Sequence, residues 1–409
     1  MSSIRVVING WFWNRPDVGL GQYIRWLVWG LLQSEAQLAI TLVAPQSLFG
    51  RPAADNLNLL VKPTPFLDQT SPLARLWFEQ VTFPNICREL GPDVVHVPYY
   101  GAPFRSVKPL VVTVHDLIPL ILPEYGREPL LRLYGRLLAA VLPQADLIIA
   151  PSQASGRDIH RHLQIPCRQI RVIYEAPAPI FERCQAPAFC ECLKCLAPDR
   201  LQKKYNLPPR YILYVGGYEK RKNVETLINA FHQARPHLPP GTGLVLAGKL
   251  PQKPTAFQSD PRPLIGRLQL EEHIMTPGWI PAADLPELYR TADLFVYPSR
   301  YEGFGLPVLE AMACGTAVLT TTAASLPEIA GSAAALVAPD DIDGMAERIV
   351  HLCTDREANR CLVQQGLNHV KQFSWKKTAE ETIRAYQDTL KLPAKDGKIN
   401  YSQIHKFSN

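Results

Sequence analysis

No stretch of this 409-residue chain stays apolar for long enough to cross a bilayer. The two best candidates are interrupted, residues 26–44 by Gln33, Glu35 and Gln37, and residues 137–150 by Pro143, Gln144 and Asp146. The first residues, MSSIRVVINGWFW, lack the basic region, apolar region and small-residue cleavage site of a secretion signal. A strong charge of one sign is also missing. With 43 basic and 37 acidic residues the net charge is +6, too little to point to a nucleic acid, although a mild attraction to anionic ligands or lipid headgroups remains open. Nine cysteines is an odd number in a chain large enough to fold without cross-links, so no disulfide framework is expected. The expected setting is cytoplasmic, either free or peripheral on the inner face of a membrane.

What the chain does have is enough length for two domains and, at 47 % hydrophobic residues, enough apolar material for two cores. Short apolar runs alternate with longer amphipathic segments, the pattern of parallel strands and covering helices. Strands are predicted at 4–9, 39–43, 94–97, 110–114 and 147–150, and a second series at 211–215, 243–247, 294–297, 317–320 and 335–337. Helices are predicted at 21–33 and 127–142 in the first half. The fold class is therefore α/β, with two Rossmann-like doubly wound domains facing across a cleft. The expected division is 1–180 for the first domain, 181–205 for a Cys- and Pro-rich connection and 206–375 for the second domain. A helix at 376–392 then packs back toward the first domain, and a polar tail fills 393–409.

Ligands of such folds bind beyond the C-terminal ends of the strands, and two glycine-rich turns sit there. Residues 298–321, PSRYEGFGLPVLEAMACGTAVLTT, run from a strand end through a glycine loop into a helix. Pro307 suits the first helical turn and Gly315 the stop. Gly303 and Gly305 allow close backbone approach to a ligand, and the helix start favours an anionic or hydroxyl-rich one. Glu302 and Glu310, eight positions apart, can both face that ligand, since carboxylates accept hydrogen bonds from sugar hydroxyls. The plainer alternative makes Glu310 a partner of the helix dipole and Glu302 a solvated loop residue. Residues 214–231, YVGGYEKRKNVETLINAF, repeat the order of strand, turn and helix. There Asn223 is a candidate N-cap, and Arg221 and Lys222 lie beside the positive helix end, an arrangement suited to a diphosphate. A solvated basic turn is the alternative.

Residues 278–321 resemble the signature of retaining glycosyltransferases of family 4 with its Glu-x7-Glu element, and closest in appearance are bacterial mannosyltransferases. SLPEIAGSAAALVAPDD, 325–341, continues the likeness, which covers nearly all of 211–392, and VGGYEKRKN resembles the family's phosphate-binding turn. The resemblance implies a GT-B fold with an acceptor domain followed by a nucleotide-sugar domain. It assigns Glu302 and the backbone around Gly303, Phe304, Gly305 and Leu306 to the transferred sugar, Glu310 to the ribose, and Arg221 and Lys222, next to Gly217, to the diphosphate. Gly217 departs from the pattern, since several relatives carry a basic residue there.

In the first half, RPDVGLGQYIRWLVWGL places Gly19 and Gly21 before an amphipathic helix. Ile24 stands where a dinucleotide fingerprint needs its third glycine. The resemblance puts the pair on the acceptor and phosphate side, while a simple turn is the alternative. His115, in TVHDLIPL at a strand end, resembles the family histidine that contacts the donor sugar; hydrogen bonding is its expected role. Trp11, Phe12, Trp13, Trp26 and Trp29 with Arg15, Arg25, Arg132 and Arg136 give this domain means to rest on a membrane, and core packing explains the aromatics equally well. Cys184, Cys190, Cys192 and Cys195 lie in a stretch inserted relative to the family and offer four thiolates to a structural zinc, although the spacing matches no common zinc ribbon. Asp340, Asp341 and Asp343 suit helix capping better than a metal, so no cofactor is expected for catalysis.

Together these features predict a retaining hexosyltransferase that moves mannose, from GDP-mannose as first choice, to a hydroxyl of a glycan or lipid-linked acceptor in surface polysaccharide synthesis. Two rivals stay open, a UDP-sugar epimerase of the same architecture and a non-catalytic nucleotide-sugar-binding subunit.

Overall fold

The computed structural model describes residues 3–16, 18–50, 52–104, 109–122, 135, 139–182, 198–253 and 255–392. The chain forms two compact units: Met1–Glu175 together with Ser374–Asn409, and Ala176–Phe373. The four cysteines at 184, 190, 192 and 195, the basic residues Arg132 and Arg136, most of the helix predicted at 127–142 and the tail after 392 lie outside the described residues.

The first unit is built on a parallel sheet of β1 (Ile4–Asn9), β2 (Leu38–Ala44), β3 (Leu57–Val61), β4 (Val94–Val97), β5 (Leu110–Thr113), β6 (Leu147–Ala150) and β7 (Ile170–Val172), in the order β3-β2-β1-β4-β5-β6-β7. The second carries β8 (Arg210–Val215), β9 (Thr242–Ala247), β10 (Ile274–Gly278), β11 (Leu294–Tyr297), β12 (Val318–Thr321) and β13 (Ala335–Val337), in the order β10-β9-β8-β11-β12-β13. In each sheet the chain winds outward from its first strand, then crosses back and winds the other way. The reversals fall between β1 and β4 and between β8 and β11. Such switch points open a crevice at the carboxyl ends of the strands.

The central strands β4, β5, β6, β11 and β12 are buried on both faces, in keeping with their mostly apolar residues. The sequence did not mark β3, β7 or β10. All three are edge strands with half-exposed residues and mixed composition, LNLLV, IRV and IMTPG, so no continuous apolar run announces them.

In the first unit, the helix Gly19–Leu32 buries Tyr23, Ile24, Leu27, Val28 and Leu31, the three-and-four spacing of one apolar stripe. It meets the helix Trp375–Leu390, which Ser374 caps through the amide of Lys377. Gly30 permits the approach: a Cβ there would stand 2.6 Å from the Trp375 carbonyl oxygen. The Tyr386 hydroxyl of the same helix lies 2.7 Å from His96 Nδ1, and His96 Nε2 lies 2.9 Å from Thr113 Oγ1. Burial drives the His96 pKa down to about 3, so it is neutral.

Among the described residues no helix is long and apolar enough to cross a membrane. Two of the residues considered for membrane contact serve the fold. Trp13 is buried and donates from Nε1 to the Phe49 carbonyl, and Arg25 donates from Nε to the Trp13 carbonyl. Trp29 is partly exposed and packs its ring 6.0 Å from that of Trp26.

Candidate functional site

In the second unit the loops 216–223 and 298–305 leave the C-terminal ends of β8 and β11, the two strands that flank the reversal. They are fastened to each other. The Arg300 amide donates to the Arg221 carbonyl at 2.7 Å, Ser299 Oγ lies 3.0 Å from the same oxygen, and Asn223 Nδ2 donates to the Pro298 carbonyl at 3.0 Å and the Pro339 carbonyl at 2.6 Å. Asn223 does not cap the following helix as the sequence suggested. It occupies the N-cap position in a left-handed conformation, φ 59°, which turns its side chain toward the neighbouring loops instead.

This fastening brings three charged side chains into one cluster. Arg221 Nη1 donates to Glu302 Oε2 at 2.9 Å, and Lys222 Nζ donates to Glu302 Oε1 at 2.8 Å. Oε1 also accepts from Ser299 Oγ at 2.6 Å and from the Tyr297 hydroxyl at 3.0 Å. Arg221 and Glu302 are thus direct partners. Burial alone would raise the Glu302 pKa, but Lys222 and Arg221 hold it at about 2, so the carboxylate is ionised. Burial pulls the Lys222 pKa below its ordinary value despite Glu302. Two cations thus share this one carboxylate, and the charge of Glu219 acts on Lys222 from nearby. Oε1 is saturated by three donors, whereas Oε2 retains room for another.

Glu302 leads into the turn of Gly303, Phe304 and Gly305. Ser325 Oγ holds two carbonyls of this turn, that of Glu302 at 2.9 Å and that of Phe304 at 2.6 Å. In a trans peptide the N–H opposes the carbonyl, so the N–H groups of Gly303 and Gly305 point to the side away from Ser325. Gly305 has φ 117°, which disfavours any side chain, and begins the helix Leu306–Ala313 with Pro307 in its first turn. Glu310, on that helix, is buried and accepts from the Tyr289 hydroxyl at 3.0 Å. Burial pushes its pKa up to about 7, against the lowering effect of Tyr289. At Gly217 a Cβ would stand 2.4 Å from the Glu219 carboxylate, so the Glu219 side chain fills the space beside this glycine.

In the first unit, His115 follows β5. Its Nδ1 lies 2.8 Å from Glu175 Oε1 and its Nε2 lies 3.1 Å from the Pro98 carbonyl. Both partners accept, so the arrangement suits a ring that donates from both nitrogens. Burial opposes the charge, but Glu175 and the Pro98 carbonyl outweigh it, and the His115 pKa is raised. Gly19 and Gly21 differ sharply. A Cβ on Gly19 would meet nothing within 4 Å, while one on Gly21 would stand 2.0 Å from the Arg15 carbonyl oxygen. The space at Gly21 is filled by the chain's own loop. Asp341 caps the helix Ile342–Thr354 through the Gly344 amide at 2.8 Å, and Asp340 pairs with Arg300 at 2.7 Å. Among the described residues no cluster of His, Cys, Asp and Glu is arranged to hold a metal.

Residues 198–369 match the family model described as glycosyl transferases group 1, and residues 19–176 match that of glycosyltransferase family 4. The chain is 34 % identical over 305 residues to the O-antigen chain mannosyltransferase B of Escherichia coli, covering 73 % of this chain and 75 % of that protein. The chain is a family 4 glycosyltransferase. A second relative, the serotype-specific mannosyltransferase WbdA of Escherichia coli, is 31 % identical over 307 residues; the match takes in 72 % of this glycosyltransferase but only 35 % of that longer protein. Among solved structures, sucrose-phosphate synthase from Thermosynechococcus elongatus superposes with TM-score 0.69 at 20 % identity, covering 94 % of this chain and 98 % of that one. WaaG, a glycosyltransferase involved in lipopolysaccharide biosynthesis, superposes with TM-score 0.66 at 16 % identity, covering 94 % and 99 %. These two identify the fold as GT-B.

Several residues that build the sites of this glycosyltransferase carried no signal of their own in the sequence. Tyr297, Ser299 and Ser325 hold Glu302 and its turn, Tyr289 holds Glu310, and Glu175 holds His115. Tyr297 ends β11 and Ser299 follows it, so a search for hydroxyls directly after the motif-bearing strand would have found those two. Glu175 lies 60 positions from its histidine, and nothing local links them.

Proposed function

We propose that this glycosyltransferase moves a hexose, mannose from GDP-mannose as first choice, with retention of configuration, to a hydroxyl of a glycan or lipid-linked acceptor in surface polysaccharide synthesis. The observation that carries the donor assignment is the cluster in which Arg221 and Lys222 converge on Glu302 at the reversal of the second sheet. A nucleoside diphosphate brings negative charge, and a preorganised positive site binds it and stabilises the leaving diphosphate. Glu302 orients both cations, and its Oε2 accepts a hydroxyl of the transferred sugar. The N–H groups of Gly303 and Gly305 and the start of the helix at Leu306 favour the same anionic, hydroxyl-rich ligand. Glu310 accepts the ribose hydroxyls. Cations of the chain take the part a divalent ion plays elsewhere, so turnover requires no metal and survives EDTA. The mannose preference rests on the two mannosyltransferase relatives. The expected location is cytoplasmic, at the inner face of the membrane where a lipid-linked acceptor is presented.

The test is a binding screen of GDP-mannose, GDP-fucose, UDP-glucose and UDP-N-acetylglucosamine, followed by turnover with wild type and Glu310→Ala. GDP-mannose should bind tightest, and the substitution should weaken both binding and turnover. If no nucleotide sugar binds, or if Glu310→Ala changes neither quantity, the donor site is misassigned. Release of an altered nucleotide sugar without any acceptor would favour the epimerase instead.

A further inference from the structure

A second constructed cluster lies at the reversal of the first sheet, between β1 and β4, and the donor chemistry makes no use of it. The loop after β1 supplies Trp11 and Phe12, and the loop after β4 supplies Tyr99. The Phe12 and Tyr99 rings meet edge to face, with centroids 4.8 Å apart. The Arg75 guanidinium lies over both, 5.0 Å from the Phe12 centroid and 5.3 Å from that of Tyr99. Arg75 Nε donates to Glu79 Oε1 at 2.7 Å, and Glu79 is fully buried.

The local fold is shaped to hold this group. Residues Phe78–Thr82 form a π-helical turn between the helices Pro72–Trp77 and Phe83–Leu90, a feature often found at functional sites. Gln80 in that turn accepts from the Phe104 amide at 2.7 Å and donates to the Ala102 carbonyl at 3.3 Å, which fastens the loop after β4 to it. A Cβ on Gly101 would stand 2.3 Å from the Tyr99 ring and 2.8 Å from Glu79 Oε1, so this position must be glycine for the ring and carboxylate to keep their places. At the end of β1, Asn9 Oδ1 accepts from the Trp11 amide, while the buried Nδ2 of Asn9 has no hydrogen-bond partner among the described residues.

The exposed part of this cluster is narrow. Trp11 and Phe12 are half-buried and the Arg75 side chain is 29 % exposed, whereas Tyr99 and Glu79 are covered. An aromatic ring beside a planar guanidinium matches a pyranose, whose C–H face packs on the ring and whose hydroxyls accept from Arg.

We propose that Phe12 and Arg75 form the subsite for a hexopyranose ring of the glycan acceptor, with Tyr99 and Glu79 as positioning residues beneath them. This rests on the glycosyl-transfer reading above and adds the acceptor's chemistry to it. The test uses the full chain with GDP-mannose and a panel of octyl α-hexopyranosides of manno, gluco and galacto configuration as acceptor probes. Phe12→Ala and Arg75→Ala should each raise the acceptor KM by about tenfold, with the donor KM moving less than about twofold. Phe12→Tyr should restore the acceptor KM, Arg75→Lys should not, and Glu79→Gln should raise the acceptor KM more than it lowers kcat. An unchanged acceptor KM, a donor KM rising in step with it, or donor hydrolysis by wild type with no transfer to any of the three glycosides overturns the subsite. If wild type turns over no nucleotide sugar at all, the donor assignment fails. Saturation-transfer NMR of octyl α-mannoside then decides the subsite alone: a transfer signal present with wild type and absent with Phe12→Ala supports it, and the absence of any signal with wild type overturns it.

Discussion

The two sheets reverse their winding at equivalent places, yet the side chains at those places are charged in different ways. Beyond β8 and β11 two cations share one carboxylate, Arg221 and Lys222 on Glu302. In the first unit the ion pairs are Arg75 with Glu79 and His115 with Glu175. The shared winding order thus offers two crevices, and their side chains underlie the two ligands proposed above, a diphosphate at one and a sugar ring at the other. Buried charge is costly unless paired.

The sharpest way to break this contrast is Arg221→Ala. It leaves Glu302 with one cation, so transfer should fall by about a hundredfold or more, read as kcat/KM. Stability should also fall, by about 3 kcal/mol in a urea titration, because a buried ion pair loses one partner. A variant with normal stability and normal transfer would mean that the cluster is neither buried as described nor used.

Glu310 gives the next largest effect. Its folded pKa, about 7, lies above the ordinary carboxylate value of about 4.3, so the folded state holds a proton that the unfolded chain has lost. Stability from this group is therefore intact at low pH and declines as pH rises from about 4.3 through 7. Glu310→Gln should stabilise the ligand-free protein by on the order of 2 kcal/mol at pH 8 and have little effect at pH 5, while weakening donor binding. Urea midpoints at the two pH values check the sign.

Gly21 and Gly19 test whether a glycine serves packing or openness. Gly21→Ala should cost about 2 kcal/mol, because its Cβ would strike the Arg15 carbonyl. Gly19→Ala faces open space at a helix start and should be neutral or stabilising by about 0.5 kcal/mol. Paired thermal melts separate the two.

The smallest effect concerns His115. Its folded pKa is raised, so the stability it contributes is complete below its unfolded value of about 6.5 and is lost as pH rises through the folded value. Glu175→Gln should remove that dependence, lowering the melting temperature more at pH 6 than at pH 9. An equal shift at both values would show that Glu175 acts on packing and not on the imidazolium.

Much of this was legible before the structure. Strands with two buried faces announce themselves as apolar runs, and the glycine turns after β8 and β11 stand out because a turn, a helix start and charged residues follow one another within a few positions. The edge strands β3, β7 and β10 did not, since half-exposed strands have no such run. Asn223 reads as an N-cap from its neighbours alone, and only the approach of Pro298 and Pro339 gives its amide a different task.

By itself the sequence determined the fold class, the family and the two loops that carry Glu302 and Arg221, because each depends on patterns confined to a few adjacent residues. Only the tertiary structure decided which charges pair. Arg221 meets Glu302 across 81 positions and His115 meets Glu175 across 60, and those meetings follow from strand order and from loops laid side by side. A charge's partner is set by distance in space, falling off over a few ångströms, and that distance is not written in the spacing along the chain.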